Sequence, residues 1–112
     1  MLTTIAENVT ARFSFTDLTG DIKYDADHHA LFMSFPDEGD EVMSVNLIGY
    51  GLEAKPDTVF IKDWSEHTGL ARSLEAAGVV EIVRALNVGQ WRSRAYEVRP
   101  RVAAAARELV AA

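Results

Sequence analysis

The residues with the most distinctive chemistry are arginines and aromatic residues that lie close together in the last third of the chain. Arginine forks next to aromatic rings are typical of surfaces that bind single-stranded nucleic acid or an acidic protein surface. Alternatively, the arginines line an exposed face or edge of a sheet, where charge discourages aggregation. The candidate binding residues are Arg84, Trp91, Arg92, Arg94 and Tyr96.

A second polar group stands just ahead of an expected helix. Asp63, Trp64 and His67 are secondary candidates for binding, because binding residues collect in such loops. In the simpler interpretation, Asp63 or Ser65 caps the helix and Trp64 closes an edge of the core. A serine, a histidine and an acid on one contiguous segment do not give the geometry that acyl transfer needs. We therefore expect a helix cap here, and predict no catalytic residue.

Metal and cofactor sites are not indicated. His28 and His29 are adjacent, so in an extended chain their side chains point to opposite sides and cannot share one ion. The chain has no cysteine, which excludes disulfides, thiolate zinc sites and iron–sulfur clusters. It also lacks glycine-rich phosphate loops and dinucleotide motifs. We predict no metal and no cofactor.

Charge is distributed unevenly along the chain. The net charge is −6, which argues against general affinity for phosphate backbones. The first 57 residues hold eleven acids against three bases, whereas the rest hold six acids against eight bases. One acidic run, which we call the acidic turn, is expected to be a solvated loop between strands. It contains Asp37, Glu38, Asp40 and Glu41.

Length and patterning predict one compact α+β domain over residues 1–112. Most apolar runs are short, β-rich and joined by turn-length loops, so we expect a single antiparallel sheet of about five to seven strands. Helical spacing predicts one packed helix near residues 69–77, ending at Gly78, and a C-terminal helix near residues 100–111 that begins at Pro100. The runs expected to form strands are 9–15, 22–24, 30–35, 42–50, 58–61, 79–88 and 91–99.

The final hairpin and the core carry further predictions. The hairpin over residues 79–99 turns either through a two-residue Gly89-Gln90 loop or through a longer loop that starts at Asn87, and the two alternatives give different registers. The core is expected to contain residues at patterned apolar positions: Phe13, Phe32, Leu47, Val59, Leu70, Leu74 and Ile82.

The functional prediction is a small, acidic, non-catalytic protein-interaction module whose partner is either a second copy of the chain or another protein. Self-association as a homodimer is the simplest version, because two-fold dimers are the commonest oligomers. One alternative is nucleic-acid binding through the arginine-rich hairpin. Another is a small enzyme with a sheet-lined pocket that uses Asp63, His67, Glu81 or Glu97. Met1 to Thr10 has no signal-peptide pattern and no apolar run has membrane-spanning length, so we expect a soluble, cytoplasmic protein without membrane partners.

Overall fold

The computed structural model describes residues 2–13, 16–64 and 67–101. These residues form seven β-strands, one α-helix and one 3₁₀ turn at Ile48–Tyr50. The elements are β1 Leu2–Phe13, β2 Thr16–Asp25, β3 Ala30–Phe35, β4 Gly39–Val42, β5 Val59–Lys62, α1 Leu70–Ala76, β6 Val80–Val88 and β7 Ser93–Pro100.

The strands divide between two antiparallel sheets. β1 to β4 form a four-stranded sheet in sequence order, and β5, β7 and β6 form a three-stranded sheet with β7 in the centre. Alternation along the strands places Ile22 and Tyr24 of β2 and Leu31 and Met33 of β3 in the core. In the three-stranded sheet, the residues that face the core are Val59, Ile61, Tyr96 and Val98. The main core therefore lies between the two sheets.

The sheets are connected at one side and closed by the helix at the other. The chain leaving β4 forms an isolated bridge between Ser44 and Ile61, and the Val45 N–H donates to the Phe60 carbonyl oxygen over 2.8 Å. At the opposite side α1 packs against β1 and β6. There the Arg12 N–H donates to Ser73 Oγ over 3.0 Å.

The three-stranded sheet is covered on its other face too. Its side chains on that outer face form a second buried cluster with the segment 45–54, which runs across it. This cluster contains Leu47, Phe60, Val88 and Ala95, and Trp64 packs against it. Successive side chains along β5 and β7 therefore point alternately into the main core and into this outer cluster.

The helix is capped from a distance. Asp63 accepts hydrogen bonds from the Gly69 N–H through Oδ1 at 2.9 Å and from the Ala71 N–H through Oδ2 at 3.0 Å. Gly78, with φ +77°, ends the helix as predicted, and its N–H donates to the Glu75 carbonyl oxygen. No helix within the described ranges has the length and apolarity needed to cross a membrane.

The α+β class, the antiparallel pairing and the helix near residues 69–77 are confirmed. The single sheet is not confirmed, because the strands separate into sheets of four and three. The run 42–50 is not one continuous strand, because Val42 ends β4. Met43 is buried in the main core, whereas Val45 and Leu47 pack on the outer face of the three-stranded sheet ahead of the 3₁₀ turn, so burial there does not require a strand.

The predicted C-terminal helix is not confirmed either. Pro100, its expected first residue, is the last residue of β7, and residues 102–112 lie outside the described part of the chain. Proline is tolerated there because it ends the strand.

Most of the predicted core residues are in place. Leu47, Val59, Leu70 and Leu74 are buried, whereas Phe32 and Ile82 are only partly so. The side chain of Phe13, the remaining predicted core residue, is not part of the structure that is described.

Candidate functional site

The turn between β6 and β7 is the most exposed part of the predicted binding region. Val88 pairs with Ser93, so residues 89–92 form a four-residue loop that matches neither predicted alternative. The Arg92 N–H donates to the Gly89 carbonyl oxygen over 3.1 Å, and both residues have positive φ, +50° and +75°. This geometry leaves the Trp91 side chain 84% exposed.

Two further apolar side chains extend the exposed surface around this turn. The Tyr50 ring lies against Gly89, 3.5 Å from the position a Cβ would occupy there, and Tyr50 is 61% exposed. Ile48, in the same 3₁₀ turn, is 62% exposed. We call Ile48, Tyr50 and Trp91 the aromatic patch.

The aromatic patch rests on a fixed base. The 3₁₀ turn that carries Ile48 and Tyr50 is closed by hydrogen bonds from the Tyr50 N–H to the Leu47 carbonyl oxygen and from the Gly51 N–H to the Ile48 carbonyl oxygen, both 2.9 Å. Leu47 is buried in the outer cluster and anchors the turn to the sheet. The exposed side chains are therefore presented on an ordered surface, which lowers the entropic cost of binding.

The strand register places the acidic turn at the same end of the molecule as the turn between β6 and β7. Ser44 bridges to Ile61, and Ile61 pairs with Tyr96, so the chain before Ser44 runs in the same direction as β7. Five residues back from Ser44 and from Tyr96 are Gly39 and Trp91. The acidic turn and the aromatic patch therefore project from one end of the fold. Arg92, next to Trp91 in the chain, has a charge opposite to that of the acidic turn.

The predicted candidate Arg84 is committed to an internal ion pair. A bulge between Ile82 and Arg84 sets Arg84 opposite Glu97, and Arg84 Nε donates to Glu97 Oε1 over 2.6 Å. Glu97 is fully buried, and Thr58 Oγ1 donates to its Oε2 over 2.7 Å. Arg84 is half exposed, but its guanidinium neutralises a buried carboxylate.

The surroundings of Glu97 determine its ionisation. Burial raises the pKa of Glu97, but hydrogen bonds from Thr58, Arg84 and the backbone at Lys55, together with the charge of Arg84, outweigh burial. The pKa of Glu97 consequently lies below its ordinary value. A carboxylate held in its ionised form by this many donors has a structural role and is a poor general acid.

Arg94 and Tyr96 lie on the opposite face of β7 from Glu97. Tyr96 is buried in the main core, so it is not a surface contact. The guanidinium carbons of Arg94 and Arg72 lie 5.9 and 6.0 Å from the centre of its ring. Cations at this distance from an aromatic ring contribute a modest attraction. The structure thus separates the five predicted residues: only Trp91 and Arg92 share the exposed turn.

The secondary candidates have structural partners. Asp63 uses both carboxylate oxygens to cap α1, and Trp64 packs against the outer cluster. His67 is fully buried with its Nε2 3.2 Å from Glu41 Oε1, which fastens the segment after β5 to β4. Within the described part of the chain, no three histidine, aspartate or glutamate side chains converge as a metal site would require.

Comparisons of the chain with protein-family models, with curated proteins and with solved structures gave no match.

Ile48 and Tyr50 were missed as candidate binding residues. The β-rich pattern of 42–50 predicts a strand, which does not indicate that both side chains are exposed. Gly49 between them and Gly51 after them were the available signals, because two glycines so close together are typical of a turn.

Proposed function

We propose that this chain is a non-catalytic protein-interaction domain that forms a homodimer through the aromatic patch. The observation that carries the proposal is the exposure of Trp91, at 84%, on a turn whose Gly89 lies against the exposed Tyr50 ring. Exposed apolar surface that is contiguous is typical of interaction sites. Tryptophan and tyrosine are also the residues that most often dominate the energy of an interface.

A second copy is the occupant that the charges favour. The end of the fold that carries the aromatic patch presents Arg92 and the acidic turn together, and both are exposed. A two-fold arrangement can set the basic turn of each copy against the acidic turn of the other while the two patches meet. The interface is then complementary to itself in charge as well as in apolar character.

A protein partner is favoured over nucleic acid because the arginines are divided among different environments. Arg84 is paired with Glu97, and Arg94 lies on the face of β7 that carries Tyr96. A continuous basic groove, which single-stranded nucleic acid would need, does not result from this arrangement.

We predict that Arg92→Glu weakens self-association by about tenfold, measured by sedimentation equilibrium at low salt. The substitution places like charges opposite the acidic turn of the partner copy, and such contacts are unfavourable. The positive φ of Arg92 is no more strained with glutamate than with arginine, so the fold should be unchanged in circular dichroism.

Arg101→Glu is the matched control for Arg92→Glu. It makes the same change in charge at an exposed residue, but beyond the other end of β7. Its dissociation constant should stay within about twofold of the parent. Equal effects of the two variants would show that net charge, and not a contact at this turn, governs association.

A further inference from the structure

A cavity of about 400 Å³ lies beside the aromatic patch, between the turn that joins β2 to β3 and the segment 44–54. Sites for small molecules are typically clefts of about 300 to 1,000 Å³ with mostly apolar walls and a few polar groups. Leu47, Leu52 and Phe60 supply apolar walls, and His29, Asn46 and Glu53 supply polar groups. Its size and lining match those of a ligand site.

Hydrogen bonds fix the donor and acceptor pattern of the polar lining. His29 Nδ1 lies 2.8 Å from the Thr58 carbonyl oxygen, which can only accept, so Nδ1 donates. Asn46 Oδ1 accepts the Ile48 N–H over 2.9 Å. Both of these polar groups are therefore engaged within the protein.

The charge of the residues that line the cavity favours a cationic ligand. Among the described residues around the cavity Glu53 is the only carboxylate, and none is a lysine or an arginine. His28 also lines the cavity, and its Nδ1 lies 2.8 Å from Asp25 Oδ2, a hydrogen bond that lowers the pKa of Asp25. A cationic donor group is favoured over an anionic group in such surroundings.

We infer that the cavity binds a small organic amine with an apolar, ring-sized body. The body lies among Leu47, Leu52 and Phe60, and the ammonium group donates to the Glu53 carboxylate. Charge-assisted hydrogen bonds of this kind are about twice as strong as neutral ones. This binding activity is separate from self-association, although Ile48 belongs to both the cavity wall and the aromatic patch.

The test is a pair of titrations followed by amide chemical shifts, with tryptamine as the cation and indole-3-propionate as the anion on the same indole body. Tryptamine should bind saturably with shifts centred on residues 44–54 and on His29, and at least about tenfold more tightly than the anion. Shifts that do not saturate, shifts centred elsewhere, or equal affinity for the two compounds would overturn the inference.

Glu53→Gln removes the proposed partner of the ammonium group while keeping its shape, and Glu53 is exposed, so the fold should tolerate the change. We expect it to abolish most of the preference for tryptamine. Glu38→Gln, at an equally exposed acid in the acidic turn, should leave the preference intact. A preference unaffected by Glu53→Gln would contradict the assignment. Tryptamine should also bind the Trp91→Ala variant as tightly as the parent, which separates this inference from the dimer.

Discussion

Replacing Trp91 with alanine will raise the dissociation constant of the homodimer by at least about 30-fold, equivalent to about 2 kcal/mol, the threshold for a residue that dominates an interface. Trp91 has the largest exposed apolar side chain among the described residues, and it lies on a turn held by the Arg92 to Gly89 hydrogen bond. Stacking of its ring on an aromatic ring of the partner copy would add to the burial of area. Sedimentation equilibrium over a range of concentrations gives the two constants.

Leu2→Ala is the control for Trp91→Ala. Leu2 is also an exposed apolar residue, but it lies at the start of β1, opposite Asp25 and away from both turns of the proposed interface. Its removal should change the dissociation constant by less than about threefold. The thermal unfolding of Trp91→Ala should match that of the parent monomer, because the side chain contributes little to the core. A parent chain that stays monomeric at high micromolar concentration would contradict the proposal.

Glu97→Ala will lower the free energy of unfolding by about 3 kcal/mol. Loss of one partner of a buried ion pair costs about 3 to 5 kcal/mol, and the lower end applies because Arg84 keeps contact with water. The Thr58 hydroxyl also loses the closer of its two acceptors and keeps the Lys55 carbonyl oxygen at 3.2 Å. Urea unfolding followed by tryptophan fluorescence measures the change.

The same variant should alter the response of the fold to acid. Because the pKa of Glu97 is lowered in the folded state, its ionised form stabilises the fold above the ordinary value of 4.5, and this contribution is lost as the pH falls through the folded pKa. The parent should therefore lose more stability than Glu97→Ala between about pH 5 and about pH 2. An identical loss of stability in the parent and in Glu97→Ala over this pH range would show that Glu97 is not held ionised by its partners.

Glu81→Ala provides the comparison for Glu97→Ala. Glu81 lies on the neighbouring strand and pairs with Arg99 Nη1 at 2.5 Å, but both side chains are exposed. Exposed ion pairs contribute about 0 to 1 kcal/mol, so this variant should unfold almost as the parent does. A cost for Glu81→Ala equal to that of Glu97→Ala would refute the distinction between the two pairs.

Local pattern was sufficient to predict the helix and most of the strands. Leu70 and Leu74 recur at helical spacing ahead of Gly78, and both are buried in α1, because an amphipathic helix must bury one face. The division into two sheets was not predictable in the same way. It depends on the pairing of β5 with β7, which sets Ile61 opposite Tyr96, a long-range contact that no local period records.

The candidate site was predicted only in part, because it also depends on long-range contacts. Residue type and concentration in one hairpin predict Trp91 and Arg92 as binding residues, and both are exposed, although they lie in the turn and not in the predicted strand 91–99. Arg84 and Tyr96 were included because they lie on the same hairpin, but face and bulge decide their surroundings: Arg84 pairs with Glu97 and Tyr96 enters the core. Tyr50 reaches the site from a distant segment that crosses the outer face of the sheet.

The most direct test of self-association through the aromatic patch is an isotope-filtered NOE experiment on a one-to-one mixture of labelled and unlabelled chains. This experiment records only proton pairs that belong to different copies. The account predicts intermolecular NOEs from the rings of Trp91 and Tyr50 and from the methyl groups of Ile48. A dimer whose intermolecular NOEs come instead from β1 or β2, with none from these three side chains, would contradict it.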